Sequence, residues 1–213
     1  MKLMDEEIIE KLKIRPKDRV LDVGGSMRQH DLIKVDTLVD ILPPEKTPYK
    51  QAKMVAKHYV QLDICQDKLP FKNNEFDVCL CTHTLEDLYN PFLIIDEMSR
   101  VAKRGLIVTP SRGQDMEFSR LKLTEWNTGF RRQPGFSHHY WFFEMRGKEM
   151  YIVPKNYGLL YTSEFGVQKW KGEEEFEYFW KNKIKYKEFF STSIHDLIRE
   201  YRGFVTINNQ KIE

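Results

Sequence analysis

The stretch RVLDVGGS, residues 19–26, determines the fold expected of this 213-residue chain. Its apolar run from Arg19 to Val23 is typical of a buried strand, and the run stops at Gly24 and Gly25, where glycine permits a tight turn. In doubly wound sheets, ligands bind beyond the carboxyl ends of the strands, where glycine lets the backbone approach them closely. One pair of glycines is equally compatible with a strand-end turn that binds nothing, so this stretch alone assigns no function.

Further strands and helices alternate downstream of this first strand. The alternation is typical of a parallel sheet that is covered by helices on both faces. We therefore predict an α/β fold with a Rossmann-like, doubly wound and mainly parallel sheet. The predicted elements are strands at 33–41 (IKVDTLVDI), 58–63 (HYVQLD), 76–82 (FDVCLCT) and 106–109 (LIVT), with one helix inside 46–57 and another over 91–103 that Gly105 ends.

The character of the chain changes beyond Ser111, where glycines, arginines and aromatic residues crowd together up to Gly135. Two hairpins are predicted after this region, which adds antiparallel strands in the C-terminal third. One joins residues 140–145 to 150–153 around Gly147, and the other joins 176–180 to 183–190; a late helix over 193–201 is capped by Ser193. We expect a single domain over residues 1–213, with residues 112–155 as a lid or acceptor-binding insertion.

The composition excludes several classes of protein. A formal net charge of +2 with 31% charged residues makes an extended nucleic-acid surface improbable on electrostatic grounds. The three cysteines form no CxxC pair, and reduced thiols in the cytoplasm fit them best. The start, MKLMDEEIIEKLKI, lacks the apolar core of a signal peptide, and we predict no membrane span.

Polar side chains follow three further strands at the points where these strands end. Asp40 ends the second strand, Asp63 ends the third, and the fourth runs into CTHTLEDLYNP, which contains His83 and Glu86. Because the carboxyl ends of parallel strands meet at one edge of a sheet, these side chains are expected to border one cleft. Each acid alone can be a turn residue, and the prediction depends on their joint order.

At this point the sequence resembles a family, the class I S-adenosylmethionine-dependent methyltransferases, over Val20 to Ser111. The resemblance lies in the order VLDVGG, VDILPP, LDICQDKLPF and NEFDVCLCTHTLEDLYNPFLIIDEMSRVAKRGLIVTPS. The chain is most similar to a small branch in which the helix between the first two strands is nearly absent. In that branch a His-aromatic-Trp segment, here SHHYW at 137–141, precedes a hairpin.

The resemblance implies S-adenosylmethionine as cofactor and assigns residues to it. The Gly24 to Ser26 backbone would bind the methionine part, Asp40 the ribose, and Asp63 with Ile64 the adenine, while His83 would border the sulfonium end. Asp22, Ile41 and Thr82 belong to the same implied set. One departure from the family pattern is the missing third glycine of the GxGxG loop, because the chain continues Ser26-Met27-Arg28.

Catalysis needs little beyond positioning, since the sulfonium is already activated, but a poor nucleophile also needs a base. The candidate bases are His83, His138 and His139, each of which is also explained as a packing residue. Adjacent histidines without a third ligand at suitable spacing predict no metal site. The segment GFRRQPGFSHHYW places Arg131 and Arg132 among aromatic side chains, which suits an anionic or ring-shaped small-molecule acceptor; a solvated loop is the alternative.

Three functions are compatible with these residues. The leading one is transfer of a methyl group to a small molecule, glycan or lipid precursor. The second is a catalytically silent binding or assembly protein that keeps the fold, which the incomplete glycine loop suggests. The third, a nicotinamide-dependent oxidoreductase, ranks last because the chain lacks GxGxxG.

Overall fold

A computed structural model of the chain describes residues 4–47, 53–119 and 133–213. They pack into two compact units, which we call the sheet unit (residues 2–109 and 177–185) and the hairpin unit (residues 110–176 and 186–213). Among the described residues, none of the helices combines the length and the apolar character that crossing a membrane requires.

The described elements follow one another along the chain as follows. They are α1 (Asp5–Leu12), β1 (Val20–Val23), β2 (Thr37–Asp40), β3 (His58–Gln61), β4 (Phe76–Thr82), α2 (Phe92–Val101), β5 (Ala102–Pro110), α3 (Arg112–Met116), β6 (Phe118–Ser119), β7 (Gln133–Pro134), β8 (Trp141–Arg146), β9 (Glu149–Pro154), α4 (Tyr157–Leu160), β10 (Glu175–Lys181), β11 (Tyr186–Glu188) and α5 (Ile194–Ile207).

The main sheet has six strands in the order β10-β5-β4-β1-β2-β3. The strand pairs β1–β2, β2–β3, β1–β4 and β4–β5 are parallel. Strand β1 lies between β2 on one side and β4 on the other. The order of the strands therefore reverses at β1, as in doubly wound sheets. The predicted mainly parallel, Rossmann-like sheet is confirmed.

The predicted strands and helices of the sheet unit differ from the structure mainly in length. Strands β1, β3 and β4 lie where the sequence predicts them, whereas β2 begins only at Thr37, because Ile33 and Val35 pack into the core from the irregular segment before it. Of the helix predicted inside 46–57, residues 53–57 are not helical, and residues 48–52 lie outside the described residues.

Gly105 does not end a helix, contrary to the prediction. Helix α2 ends at Val101 and β5 begins at the next residue, so Gly105 lies inside the strand. A Cβ atom at Gly105 would lie 2.0 Å from the carbonyl oxygen of Cys79 on β4 and 2.7 Å from Cζ2 of Trp180 on β10. The glycine therefore permits close approach of neighbouring strands.

Apolar side chains on α1 and on the strands form the core of the sheet unit. Ile8 and Leu12 on α1 pack against Val20, Leu38 and Val78 of the sheet. The Cys79 and Cys81 thiols are completely buried, as expected for core residues, and burial raises the pKa of both well above the ordinary value. The thiols are therefore neutral packing groups.

The hairpin unit contains a three-stranded sheet in the order β11-β9-β8. The first predicted hairpin is confirmed, since β8 and β9 pair antiparallel around Gly147, which has a φ of +63°. Helix α5 begins after Ser193, as predicted, and the Ser193 Oγ accepts a hydrogen bond from the His195 N–H at 3.2 Å. The helix packs Tyr201 against Phe142 and Phe165.

The second predicted hairpin is wrong. Strand β10 belongs to the six-stranded sheet, whereas β11 pairs parallel with β9. After β10, backbone N–H groups bond to side chains and not to a neighbouring strand. The Ile184 N–H donates to Ser99 Oγ at 3.0 Å, and the Lys185 N–H donates to the Tyr178 hydroxyl at 3.0 Å. These bonds to side chains leave no regular ladder between the two strands.

Alanine substitution should change the free energy of unfolding in opposite directions at buried Gly105 and at exposed Gly203. Gly105→Ala should lower the free energy of unfolding by roughly 3 kcal/mol, because its Cβ overlaps with the backbone of β4 and the ring of Trp180. Gly203→Ala, inside α5 and with no atom within 4 Å of its Cβ, should raise it by about 0.5–1 kcal/mol. Urea denaturation measures both, and equal effects would contradict this account of Gly105.

Candidate functional site

The residues predicted to bind a cofactor follow neighbouring strands at one edge of the main sheet. Backbone hydrogen bonds align these strand ends: the Gly24 N–H donates to the Val39 oxygen at 2.8 Å, and the Leu62 N–H donates to the Asp40 oxygen at 3.0 Å. On the other side of β1, the His83 N–H donates to the Val108 oxygen at 2.8 Å. The structure thus brings the ends of β1, β2, β3 and β4 to a single edge within the sheet unit.

The chain turns immediately after β1 at Gly24 and Gly25. Gly24 has a φ of +76°, and a Cβ there would lie 2.3 Å from the Thr84 side chain. A Cβ on Gly25 would lie 2.0 Å from Oδ2 of Asp22. Both glycines are therefore required by contacts within the protein, and a single 3-10 turn, Gly25–Met27, replaces the helix that usually follows such a strand.

Thr84 is a residue of this edge that the sequence analysis missed. Its hydroxyl lies 3.3 Å from the Gly24 carbonyl oxygen and 3.2 Å from the Thr82 oxygen, as donor to either. The segment after β4 is thereby joined directly to the glycine turn after β1. Thr84 directly follows the assigned residue His83, but neither its type nor its position indicates this contact in the sequence, so only the fold reveals it.

Asp40 is the best-defined polar group of the edge. Its Oδ2 accepts a hydrogen bond from the Ser26 N–H at 3.0 Å, and its Oδ1 accepts one from the Ile41 N–H at 2.7 Å. A carboxylate has about four acceptor sites, so each oxygen keeps one for a ligand. The Tyr59 hydroxyl donates to the Asp40 carbonyl at 2.9 Å, and burial, with the charges of Asp40 and Glu45, raises the pKa of Tyr59 to about 12.

Large apolar side chains at this edge are exposed. The exposed fraction is 47% for Met27 after β1, 56% for Ile41 after β2 and 57% for Tyr89 beyond β4. Exposed apolar groups that flank a few fixed polar groups are typical of ligand sites. The combination suits a ligand with an apolar ring and hydroxyl groups.

Asp63 has a role in its own turn. Its two oxygens accept hydrogen bonds from the Cys65 N–H at 3.0 Å and from Nε2 of Gln66 at 2.6 Å. The neighbouring Ile64 is buried. These contacts cap the turn after β3, and the assignment of Asp63 and Ile64 to an adenine ring stays a prediction.

Asp22 lies beneath the glycine turn and is almost completely buried, with 1% of its surface exposed. Burial raises the pKa of Asp22 to about 6; the charge of His30 lowers it, and the charges of Asp40 and Asp5 raise it further. Within the part of the chain that the structure describes, Oδ1 of Asp22 and Nε2 of His30 have no hydrogen-bond partner. Both residues line the same small pocket.

His30 connects this pocket to the N-terminal helix. Its Nδ1 lies 2.7 Å from Oδ1 of Asp5 on α1, and the other Asp5 oxygen accepts the Leu32 N–H at 2.8 Å. Burial raises the pKa of Asp5, but the hydrogen bonds from His30 and Leu32 outweigh it and the net shift is downward. Neither His30 nor Asp5 belongs to an assigned motif, and the two meet only in the fold, so the sequence analysis gave no signal for them.

His83, a predicted base, follows β4 directly and has a φ of +52°. Its Nδ1 lies 3.5 Å from Oε1 of Glu86, and 34% of its side chain is exposed. Glu86 is 2% exposed. A partly exposed imidazole beside a buried carboxylate is an arrangement that suits proton transfer.

The other two predicted bases lie in the hairpin unit. The His139 ring is buried, and its Nδ1 lies 3.0 Å from Oδ1 of Asp115, which also accepts a hydrogen bond from Lys155 Nζ at 2.9 Å. His138 is exposed, and its ring centroid lies 4.7 Å from that of His139. His139 thus belongs to a buried ionic cluster, and the catalytic assignment of both residues stays a prediction. Arg131 and Arg132 lie outside the described residues.

Comparison with known proteins identifies the family of the segment that contains this edge of the sheet. Residues 21–109 match the model of a family described as methyltransferase domain. Residues 21–109 form a methyltransferase domain. The family predicted from the order of motifs between Val20 and Ser111 is thereby confirmed.

Relatives of the methyltransferase domain resemble only part of the chain. An uncharacterized protein of Methanocaldococcus jannaschii is 36% identical over 109 residues, which are 47% of this chain and 50% of that protein. The chain spans about half the length of this curated relative.

Two solved structures are similar to the chain at lower identity. A SAM-dependent methyltransferase from Methanosarcina mazei is 22% identical, with 53% of this chain and 60% of that chain covered and a TM-score of 0.39. A SAM-dependent methyltransferase from Aquifex aeolicus is 21% identical, with 51% and 65% covered and a TM-score of 0.35.

Buried Asp22 makes the stability of the methyltransferase domain depend on pH. Its pKa is higher in the folded state, about 6, than in the unfolded chain, so stability is fully present below the unfolded value and is lost as pH rises through 6. The stabilisation caused by Asp22→Asn should therefore be roughly 2 kcal/mol larger at pH 7.5 than at pH 4. Urea denaturation at both pH values measures this, with exposed Asp67→Asn as control, and a pH-independent difference would exclude it.

Proposed function

We propose that the protein transfers a methyl group from S-adenosylmethionine to a small-molecule acceptor, a class in which we include glycan and lipid precursors. The observation that carries the proposal is the Asp40 carboxylate, which the Ser26 and Ile41 N–H groups fix at the carboxyl edge of the sheet. A fixed carboxylate with free acceptor sites fits the paired hydroxyls of a ribose.

The neighbouring residues suit the remaining parts of this cofactor. The exposed Ile41 side chain would lie against one face of the adenine, with Asp63 and Ile64 at its edge. The Gly24 to Ser26 backbone, above Asp22, would bind the methionine part. Thr82 and His83 would border the sulfonium, because Thr84 ties their segment to the Gly24 carbonyl.

When bound, S-adenosylmethionine supplies a methyl group that is already activated by the positive sulfonium. The chain's own residues therefore have to position the acceptor, exclude water and, for an acceptor with a bound proton, accept that proton. We assign the proton-accepting role to His83, which lies in the methyltransferase domain, and keep His138 and His139 as the alternatives. Residues 112–155 are proposed as the acceptor-binding insertion, with exposed Phe136 and Tyr140 available to an aromatic or anionic acceptor.

The proposal also covers the domain organisation of the protein and its location in the cell. Residues 1–213 would act as one catalytic domain in the cytoplasm. The free state of Cys65, Cys79 and Cys81 agrees with a reducing compartment.

Calorimetric titration with S-adenosylmethionine and, separately, with S-adenosylhomocysteine tests the proposal. Micromolar binding of both is expected. Asp40→Asn should weaken both by about 10- to 100-fold, because one hydroxyl partner and one backbone bond are lost. Asp67→Asn is the matched control, because it removes the same negative charge at an exposed position beyond β3. It should leave the affinity for both ligands unchanged.

The alternative is a catalytically silent binding or assembly protein, which the missing third glycine of the GxGxG pattern favours. Absence of heat and of a thermal shift with either ligand would support this second function. Binding of a reduced nicotinamide cofactor, with no binding of S-adenosylmethionine, would instead support an oxidoreductase.

A further inference from the structure

We propose that Glu86 is a positioning residue that keeps the His83 proton on Nδ1, so that Nε2 accepts a proton from the methyl acceptor. The inference rests on the proposed function and deepens it, since it restricts the acceptor to a nucleophile that carries a proton. A hydroxyl group or a neutral amine has such a proton, whereas a carboxylate or a thiolate does not.

The burial of Glu86 is the first observation. Only 2% of this residue is exposed, and its Oε2 is a buried atom without a hydrogen-bond partner among the described residues. A buried carboxylate without partners is costly, so a glutamate persists there only where something compensates its charge. The Nδ1 atom of His83, an ionisable ring nitrogen, lies 3.5 Å from Oε1 of Glu86.

Three titratable groups near this turn, Asp22, Cys79 and Cys81, do not take over that role. The charges of Glu86 and Asp22 both contribute to the raised pKa of the Cys81 thiol, where burial is the main cause. Asp22 is a second acid, and the thiols of Cys79 and Cys81 are neutral at physiological pH, so none of them offers a positive charge to Glu86. An imidazole that can become positive compensates the carboxylate when it takes up a proton.

The backbone of His83 is the second observation. A φ of +52° lies in the left-handed region that residues with a side chain rarely adopt, so the backbone of His83 is strained. The Val108 oxygen holds the His83 N–H, and the Thr84 hydroxyl joins the next residue to the Gly24 carbonyl. Several contacts thus fix a partly exposed ring beside the glycine turn, although a helix or strand conformation would be less strained.

The tautomer follows from these contacts. In a neutral imidazole one nitrogen carries the proton and the other accepts, and a carboxylate at Nδ1 selects the form with the proton on Nδ1. Nε2 is then the basic nitrogen. As the acceptor oxygen or nitrogen forms its bond to the methyl group, the bond from sulfur to methyl breaks, the acceptor proton moves to Nε2, and water later removes it.

Nitrogen NMR of ¹⁵N-histidine-labelled protein tests the tautomer without knowledge of the acceptor. In the wild type, His83 above its titration midpoint should give the shifts of a protonated Nδ1 and a bare Nε2. Glu86→Leu, which removes the carboxylate but fills the space, should return His83 to the protonated Nε2 form that predominates in free histidine. Glu86→Gln keeps an acceptor oxygen and should preserve the wild-type tautomer.

Titrating His83 in two complexes tests its place beside the sulfonium. S-adenosylmethionine carries a positive sulfur and S-adenosylhomocysteine does not, so the His83 midpoint should be lower in the first complex by about one pH unit, a tenfold change in proton affinity. His58, at the start of β3 and hence at the opposite edge of the sheet, is the internal control and should not shift.

The outcomes separate this inference from the proposed function. If both ligands bind but His83 has the same midpoint in both complexes, or if the wild type shows a protonated Nε2, the inference is overturned and the proposed function stands. If neither ligand binds, the proposed function fails, while the tautomer measurement still decides the role of Glu86. Should Glu86→Leu fail to fold, the wild-type and Glu86→Gln spectra alone decide it.

Discussion

The hydrogen bond from the Ser26 N–H to Asp40 connects the two strand ends on which the candidate site depends. Parallel pairing of β1 with β2 puts Gly24 beside Val39, so the turn after β1 meets the end of β2 as soon as the sheet forms. Asp40 then joins the turn to its own strand through the Ile41 N–H. A ligand that contacts Asp40 therefore contacts a group whose position the backbone of both strands determines.

Two carboxylates near the glycine turn are in opposite environments. Asp22 is buried, with one oxygen that lacks a partner, and its pKa is raised to about 6. Asp40 is partly exposed and receives two backbone hydrogen bonds. Only the second, Asp40, is placed where a ligand can contact it. The first instead lies in the interior, where the Gly25 backbone packs against it.

The pattern of apolar residues along the sequence correctly predicted the strands that are buried on both faces. The apolar runs of β1 and β4 are buried on both faces of the sheet, so composition alone locates them. Gly105 was misread because its role depends on Trp180, a residue distant in sequence that packs across β5. The second hairpin failed for a similar reason, since the bonds to Ser99 and Tyr178 that replace the strand ladder cannot be read from the strands themselves. Asp5 and His30 likewise meet only in the fold.

The missing third glycine and the missing first helix have a common physical basis. In the dinucleotide-binding pattern the third glycine lets a helix pack closely on the sheet. Here residues 28–36 form no helix, and polar contacts hold them instead: Gln29 bonds to the backbone of Lys53 and Val55, and Asp5 accepts the Leu32 N–H. Without a packed helix, no close approach requires a glycine at Arg28. The departure from the family pattern therefore reflects a different anchoring of the loop.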